Sequence, residues 1–233
     1  MEEKAAFVRS MFNRIAYHYD LLNRLMTASL DQVWRDRLAR VAPQGGQALI
    51  LDLATGTGDL ALAFLRRHPS SRIIGLDFCD AMLQVARRKV EVAHVNGRII
   101  LLEGDALKLP FAEGSFDGLI TAFAMRNVAS IPATLSEAHR VLKSSGFMLC
   151  LEIASPPWSL FRPLFDFYFE RIIPLIGGLI SGDRGAYAYL PNSLEKFLPP
   201  GEFKEVMEKA GFTEVEYKYL FPGTAVLHSG LKR

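Results

Sequence analysis

Residues 51–61 read LDLATGTGDLA, a short apolar run, a glycine turn and the start of a helical pattern. The spacing of Gly56, Gly58 and Ala61 fits a dinucleotide loop, in which amides at a helix N-terminus receive a pyrophosphate. Two carboxylates argue against that guest: Asp52 stands before the loop and Asp59 directly after it. Negative charge repels a diphosphate and attracts a cation. The glycines permit close backbone approach, so a ligand is expected, and its charge is expected to be positive. S-adenosylmethionine fits, since it carries an ammonium and a sulfonium and no phosphate. Two further acids extend the pattern. Asp77, closing RIIGLD, suits the hydroxyls of a ribose, and Asp105, followed by Ala106, suits an adenine edge read by a carboxylate and a backbone amide. Plainer uses remain open: Asp52 capping loop amides and Asp105 making a turn.

The elements that must carry these acids alternate. ALILDL (48–53), RIIGLD (72–77), RIILLEGD (98–105), FDGLITAF (116–123) and FMLCLEIA (147–154) read as buried strands. LALAFLRRH (60–68), AMLQVARRKVEVA and PATLSEAHRVLK (132–143) read as helices between them. Uninterrupted apolar strands alternating with helices indicate a parallel sheet covered on both faces. In such a sheet ligands bind beyond the carboxyl ends of the strands, at the loop of the first one. The end differs: EFKEVMEKAGF is a helix stopped by Gly211, and VEYKYL and TAVLHSG flank FPG as an antiparallel pair. Residues 1–43 are expected to form a helical cap, 44–154 the cofactor-binding core, 155–200 a substrate lid and 201–233 a helix and hairpin.

Composition narrows the function. The 233 residues suit one α/β domain with embellishments. With 27 basic against 25 acidic residues there is no electrostatic case for nucleic acid. Cys79 and Cys150 lie in or beside apolar runs and are expected as buried free thiols, which suits a cytoplasmic location. No apolar run approaches the roughly 20 residues that span a bilayer, so a soluble protein is expected.

Longer motifs carry a resemblance. Asp52 to Gly58, D-x-A-x-G-x-G, resembles the first motif of class I S-adenosylmethionine-dependent methyltransferases, with Ala54 in place of the usual first glycine. MFNRIAYHYDLLNRLMT with VWR, then GDALKLPF, AFAMRNV, RVLKSSG and YAYLPNSL resemble, in order, signatures of the ubiquinone/menaquinone biosynthesis C-methyltransferases (UbiE/MenG). The likeness runs from about Met11 to Gly230. It departs at Asp31 and Gln32, where that family usually has a basic pair, at Ser29 in a glycine place, and at Ala122 and Ala124, where serine and glycine are usual. The resemblance implies a Rossmann-like class I methyltransferase fold: a seven-stranded, mostly parallel sheet with one antiparallel strand and helices on both faces. It implies S-adenosyl-L-methionine as cofactor. Asp52, Ala54, Gly56, Thr57 and Gly58 are the expected contacts in the loop. Asp77, Phe78, Asp105, Ala106 and the backbone of Ala122 are those at the later strand ends.

The implied reaction adds a methyl group to a ring carbon of a reduced polyprenyl quinone, demethylmenaquinol being the leading substrate. A ubiquinone-precursor benzoquinol or a phytyl-naphthoquinol is the alternative ring, and an NAD-binding oxidoreductase or a catalytically inert binding protein the alternative class. The site must align the reactants, exclude water and handle a phenolic proton. Arg126 is expected to stabilise a phenolate oxygen and Asp59 to accept its proton, although an ion pair with a nearby acid would equally explain Arg126. Tyr19, Asn127, Tyr187 and Tyr189 are expected near the substrate, with His18 and Asp20 as further candidates, and the tyrosines serve equally well as packing. WSLFRPLFDFYFERIIPLIGGLI reads as an amphipathic helix that covers an isoprenoid tail, or that is simply buried on the sheet. A lipophilic quinol, a peripheral contact with the inner face of a membrane and a homodimer complete the expected partners. No metal is expected.

Overall fold

The computed structural model describes residues 2–43, 46–158, 162–181 and 184–233, without the side chains of 2, 3, 5, 178–188 and 190. Five strands and their helices alternate through the first two thirds: β1 (Leu49–Leu53), α3 (Asp59–Arg67), β2 (Arg72–Asp77), α4 (Asp80–Val92), β3 (Ile99–Glu103), β4 (Phe116–Ala122), α5 (Ile131–Val141) and β5 (Leu142–Ile153). Ahead of them stand α1 (Glu2–Met26) and α2 (Leu30–Val41). The chain closes with α9 (Pro200–Lys209), β6 (Thr213–Leu220) and β7 (Ala225–Leu231). The strands form one seven-stranded sheet in the order β3-β2-β1-β4-β5-β7-β6. β1 to β5 pair in parallel, and β7 runs antiparallel to both β5 and β6. This is the mostly parallel sheet with one reversed strand that the sequence implies.

Period-two alternation divides the sheet's apolar residues between two cores. Ile50, Ile120 and Leu149 face Trp34, Leu38 and Phe64 of α2 and α3. Their neighbours Leu51, Leu119 and Met148 face Leu135, Phe203 and Met207 of α5 and α9. Successive strand residues point to opposite faces, so two helical layers are needed to bury both. Strand order reverses between β1 and β4, which opens a crevice at their carboxyl ends.

Boundaries differ from the sequence reading in two places. β5 starts at Leu142 rather than 147, because Leu142 pairs with Phe116 before the register shifts to match Phe147 with Gly118. The segment read as one amphipathic helix, 158–180, is broken into α6 (Arg162–Phe167), a π-helical turn (Tyr168–Ile172) and α7 (Ile173–Ser181), and α8 (Arg184–Glu195) follows it. Such turns insert an extra residue and re-aim side chains, frequently at functional sites. α1 packs on this segment through Met11, Ile15, Leu22, Met26 and Ile173, and the Tyr168 hydroxyl donates to the Met26 carbonyl at 2.9 Å. Cys79 and Cys150 are both buried and unlinked.

Candidate active site

The crevice holds a cavity of about 770 Å³ at the ends of β1, β2, β3 and β4. Ala54, Gly56, Asp77, Phe78, Asp105, Ala106 and Ala122, all expected at the cofactor, lie on its wall. Gly56 has φ of 56°, and a Cβ built on it would meet nothing within 4 Å, so its bare backbone faces open space. Asp77 ends β2 and accepts the Gly56 amide at 2.8 Å on one oxygen and the Cys79 amide at 2.9 Å on the other. Burial pushes its carboxyl up to about 6, against the pull of these amides. Each oxygen keeps a second lone pair for a ligand hydroxyl. Asp105 accepts the Leu107 amide at 2.9 Å, so it forms the turn and lines the cavity at once.

Three of the expected loop contacts sit elsewhere. Asp52 is buried behind the loop, where its Oδ2 accepts the Thr55 hydroxyl at 2.6 Å. Its Oδ1 has no hydrogen-bond partner among the described residues, and burial pushes the carboxyl up to about 7. It therefore stands behind the loop and off the cavity wall. Thr57 turns its hydroxyl to Asp20 of α1 at 2.5 Å, and Gly58, with φ of 79°, would bring a Cβ to 3.3 Å from that of Ala86. Among the described residues none of these three lines the cavity. Thr57 ties the cap to the loop, and Gly58 lets the loop pack on α4.

α1 lies over the cavity mouth. Ala6, Arg9, Phe12 and Tyr19 line it, Arg9 pairs with Glu103 at the end of β3, and Lys4 donates to the Val128 carbonyl at 2.8 Å. The cap is thus pinned on both sides of the crevice. Sequence reasoning missed Arg9, Phe12 and Glu103, because no local spacing links α1 to the strand ends.

A second cavity, of about 290 Å³, adjoins the first. Trp34, Phe165, Tyr168, Phe169, Met26, Ile153 and Ile173 make it apolar and aromatic, and Asp31 and Arg126 bring charge to its wall. Tyr19 and Phe123 line both cavities and form the partition. Arg126 donates to Glu152 at 2.6 Å, and Glu152 also accepts the Met125 amide at 2.7 Å. The ion pair weighed from sequence is therefore present, with a partner on β5, and Arg126 keeps its place on the cavity wall. Burial pushes the Glu152 carboxyl up, and Arg126 pulls it back.

Asp59 is the main correction. Its carboxylate is taken by Lys89, which also reaches Asp20 at 2.7 Å. Burial alone would raise its carboxyl, but Lys89 and Arg35 outweigh that and hold it below the ordinary value. Among the described residues it lies on neither cavity wall, so Asp59 and Arg126 do not meet around one space. Asn127 lines the first cavity and not the aromatic one. It donates to the Phe123 carbonyl at 3.2 Å, and its amide oxygen is buried without a partner among the described residues. Tyr189 packs on Phe7 with ring centroids 5.7 Å apart, a cap contact instead of a cavity wall. His18 is exposed, and the Tyr187 side chain lies outside the described residues. His228 is buried, hydrogen-bonded to the Pro200 carbonyl and pushed down to about 4 by burial, in keeping with a structural role.

Residues 1–232 match the ubiE/COQ5 methyltransferase family. The chain is 46% identical over 220 residues to a demethylmenaquinone methyltransferase of Thermus thermophilus, covering 94% of this chain and 99% of the relative. It is 39% identical over 232 residues to a ubiquinone/menaquinone biosynthesis C-methyltransferase UbiE of Dinoroseobacter shibae, covering 99% and 92%. The fold is similar to the crystal structure of a SAM-dependent methyltransferase, possible histamine N-methyltransferase, from Thermotoga maritima. That match has a TM-score of 0.68 and 18% identity, and covers 97% of this chain and 100% of the other.

Ala54 has φ of 55°, a left-handed conformation that disfavours a Cβ. Replacing it with glycine removes that penalty and should stabilise the ligand-free protein by about 1 kcal/mol, or roughly 2–4 °C in Tm. A thermal melt of Ala54→Gly that falls below wild type would contradict this account of the loop.

Proposed function

Since the chain belongs to the ubiE/COQ5 methyltransferase family, we propose that its two adjoining cavities bring S-adenosylmethionine and a reduced polyprenyl quinone together. It is an S-adenosylmethionine-dependent C-methyltransferase of quinone biosynthesis, and demethylmenaquinol is the substrate we assign. The observation that carries the assignment is the shared partition: an acid-lined cavity and an aromatic one meet at Tyr19 and Phe123. The donor supplies a methyl group made electrophilic by a positive sulfur.

The residues of the first cavity suit that cation. Asp77 and Asp105 supply negative charge and hydroxyl or amine acceptors, Gly56 leaves room for close approach, and the spare amide oxygen of Asn127 faces a donor-rich ammonium. In the second cavity an aromatic ring is held between Trp34, Tyr168 and Phe169. Arg126, fixed by Glu152, offers its remaining N–H groups to the quinol oxygen as negative charge grows there. Opposite charges cancel along the reaction, and a dry pocket therefore favours it. The 155–200 segment acts as the lid, supplying Phe165, Tyr168, Phe169 and Ile173 to the pocket.

Trp158, Leu164, Phe167 and Leu175 of the same segment are all more than half exposed. These apolar side chains take the prenyl tail from a bilayer, in a peripheral contact. Among the described residues no helix is long and apolar enough to cross a membrane.

The experiment that tests the function is methyl transfer from labelled donor to naphthoquinol and benzoquinol acceptors offered side by side. Labelled product with the naphthoquinol is expected, and no product with either ring would sink the proposal. Arg126→Ala should lower turnover by roughly 10- to 150-fold, the worth of a charge-assisted hydrogen bond, while calorimetry shows donor affinity kept. Donor affinity should fall as pH drops through about 6, because a protonated Asp77 loses an acceptor toward the ribose. Asp77→Asn should bind weakly and flatten that dependence; an unchanged slope removes Asp77 from the role. For the lid, Phe167→Glu should reduce co-sedimentation with quinone-loaded liposomes, and equal pelleting of both proteins speaks against the membrane contact.

A further inference from the structure

The quinol needs a proton acceptor, and Asp59 is occupied by Lys89 outside both cavities. The aromatic cavity holds another carboxylate. Asp31, in the first turn of α2, is buried except where it edges this space. It is the one carboxylate on that wall among the described residues; the other titratable groups there are Tyr19 of α1, Arg126 after β4 and Tyr168 of the π-helical turn.

Its orientation is fixed by two donors. Arg35, one helical turn on, donates to Oδ2 at 2.5 Å, and the Thr27 hydroxyl donates to Oδ1 at 3.1 Å. Arg35 is itself anchored over the Phe123 ring at 5.0 Å, the partition between the cavities. Each carboxylate oxygen retains a lone pair. A positioned carboxylate within an apolar pocket, facing a group whose proton must leave, meets the geometric demand on a general base. Arg126 lines the same cavity, so a cation for the oxygen and a base for its proton share one space.

Resting on the methyltransferase reading above, we propose that Asp31 is the base that accepts the phenolic proton of the quinol. The O–H proton passes to the Asp31 carboxylate, leaving a phenolate whose negative charge Arg126 faces. The neighbouring ring carbon attacks the methyl group: a C–C bond forms as the C–S bond breaks, and sulfur keeps that electron pair as a neutral thioether. The same ring carbon then loses its hydrogen as a proton to solvent, its C–H electrons restoring the aromatic ring. Asp31 returns its proton to the quinol oxygen. The net products are a methylated quinol, S-adenosylhomocysteine and one proton.

The test is a pH–rate profile of methyl transfer for wild type, Asp31→Asn and Thr27→Val, with donor affinity measured on each. Asp31→Asn should bind the donor like wild type yet turn over at least about 100-fold more slowly near pH 7, within the usual range for a lost general base. Its rate should climb about tenfold per pH unit and approach wild type as the free phenol ionises near about pH 10. Thr27→Val, which removes the hydroxyl that contacts both the Asp31 carboxylate and its amide, should slow turnover several-fold with donor affinity kept. Wild-type-like turnover in Asp31→Asn, or a parallel loss of donor binding, would overturn the assignment. Should Asp31→Asn fail to fold, unchanged turnover in Thr27→Val overturns it, and slowed turnover with donor affinity kept supports it. A wild-type enzyme that methylates no quinol would instead fault the underlying function.

Discussion

Phe123 is the residue with a left-handed backbone that lines both cavities. Immediately after β4 this aromatic residue takes φ of 61°, a left-handed conformation that costs roughly 1–3 kcal/mol. The surroundings over-determine it. Its amide donates to the Leu151 carbonyl at 2.8 Å, Trp34 packs edge-on at 6.3 Å, and the Arg35 guanidinium lies over its ring. A strand continuing in β geometry would carry this side chain past the crevice. The reversal leaves the ring between the larger cavity and the aromatic one, with Tyr19 beside it, and the contacts around Phe123 hold that partition in place.

Around that boundary the charges are layered. Asp77 and Asp105 stand on the wall of the larger cavity, whereas Asp52 is sealed behind the glycine loop, where burial pushes its carboxyl up to about 7. A buried carboxylate pays a desolvation cost that hydrogen bonds only partly offset. Asp52 is thus part of the loop's support, while Asp77 stands on the cavity wall.

Two of the charged clusters on the opposite side join elements that are distant in sequence, and a third joins residues one turn apart on α2. Arg126 leans on Glu152 of β5, Lys89 of α4 gathers Asp59 and Asp20, and Arg35 of α2 joins Asp31 to the Phe123 ring. Buried pairs are weak sources of stability compared with apolar packing, and removing one partner is costly. Their value here is placement: Arg126 and Asp31 keep fixed positions on the wall of the aromatic cavity, whereas Lys89 ties α1, α3 and α4 together outside both cavities.

The sequence by itself determined the sheet. Period-two apolar runs, a glycine loop with left-handed positions and a helix stopped by Gly211 are local signals, and they led to the parallel core with its reversed last strand. It also determined the sign of the ligand, because strand ends in a parallel sheet converge and the acids there could be counted. Tertiary structure alone decided which acid touches what. Asp52 and Asp59 flank the loop in sequence, yet one turns inward to Thr55 and the other outward to Lys89. Asp31 and Arg126, 95 positions apart by number, line one cavity, and no spacing along the chain encodes that neighbourhood. A side chain's direction at a strand end depends on the partners that reach it from elsewhere, and those are set by how α1, α2 and α4 pack around the glycine loop and how β5 lies beside β4.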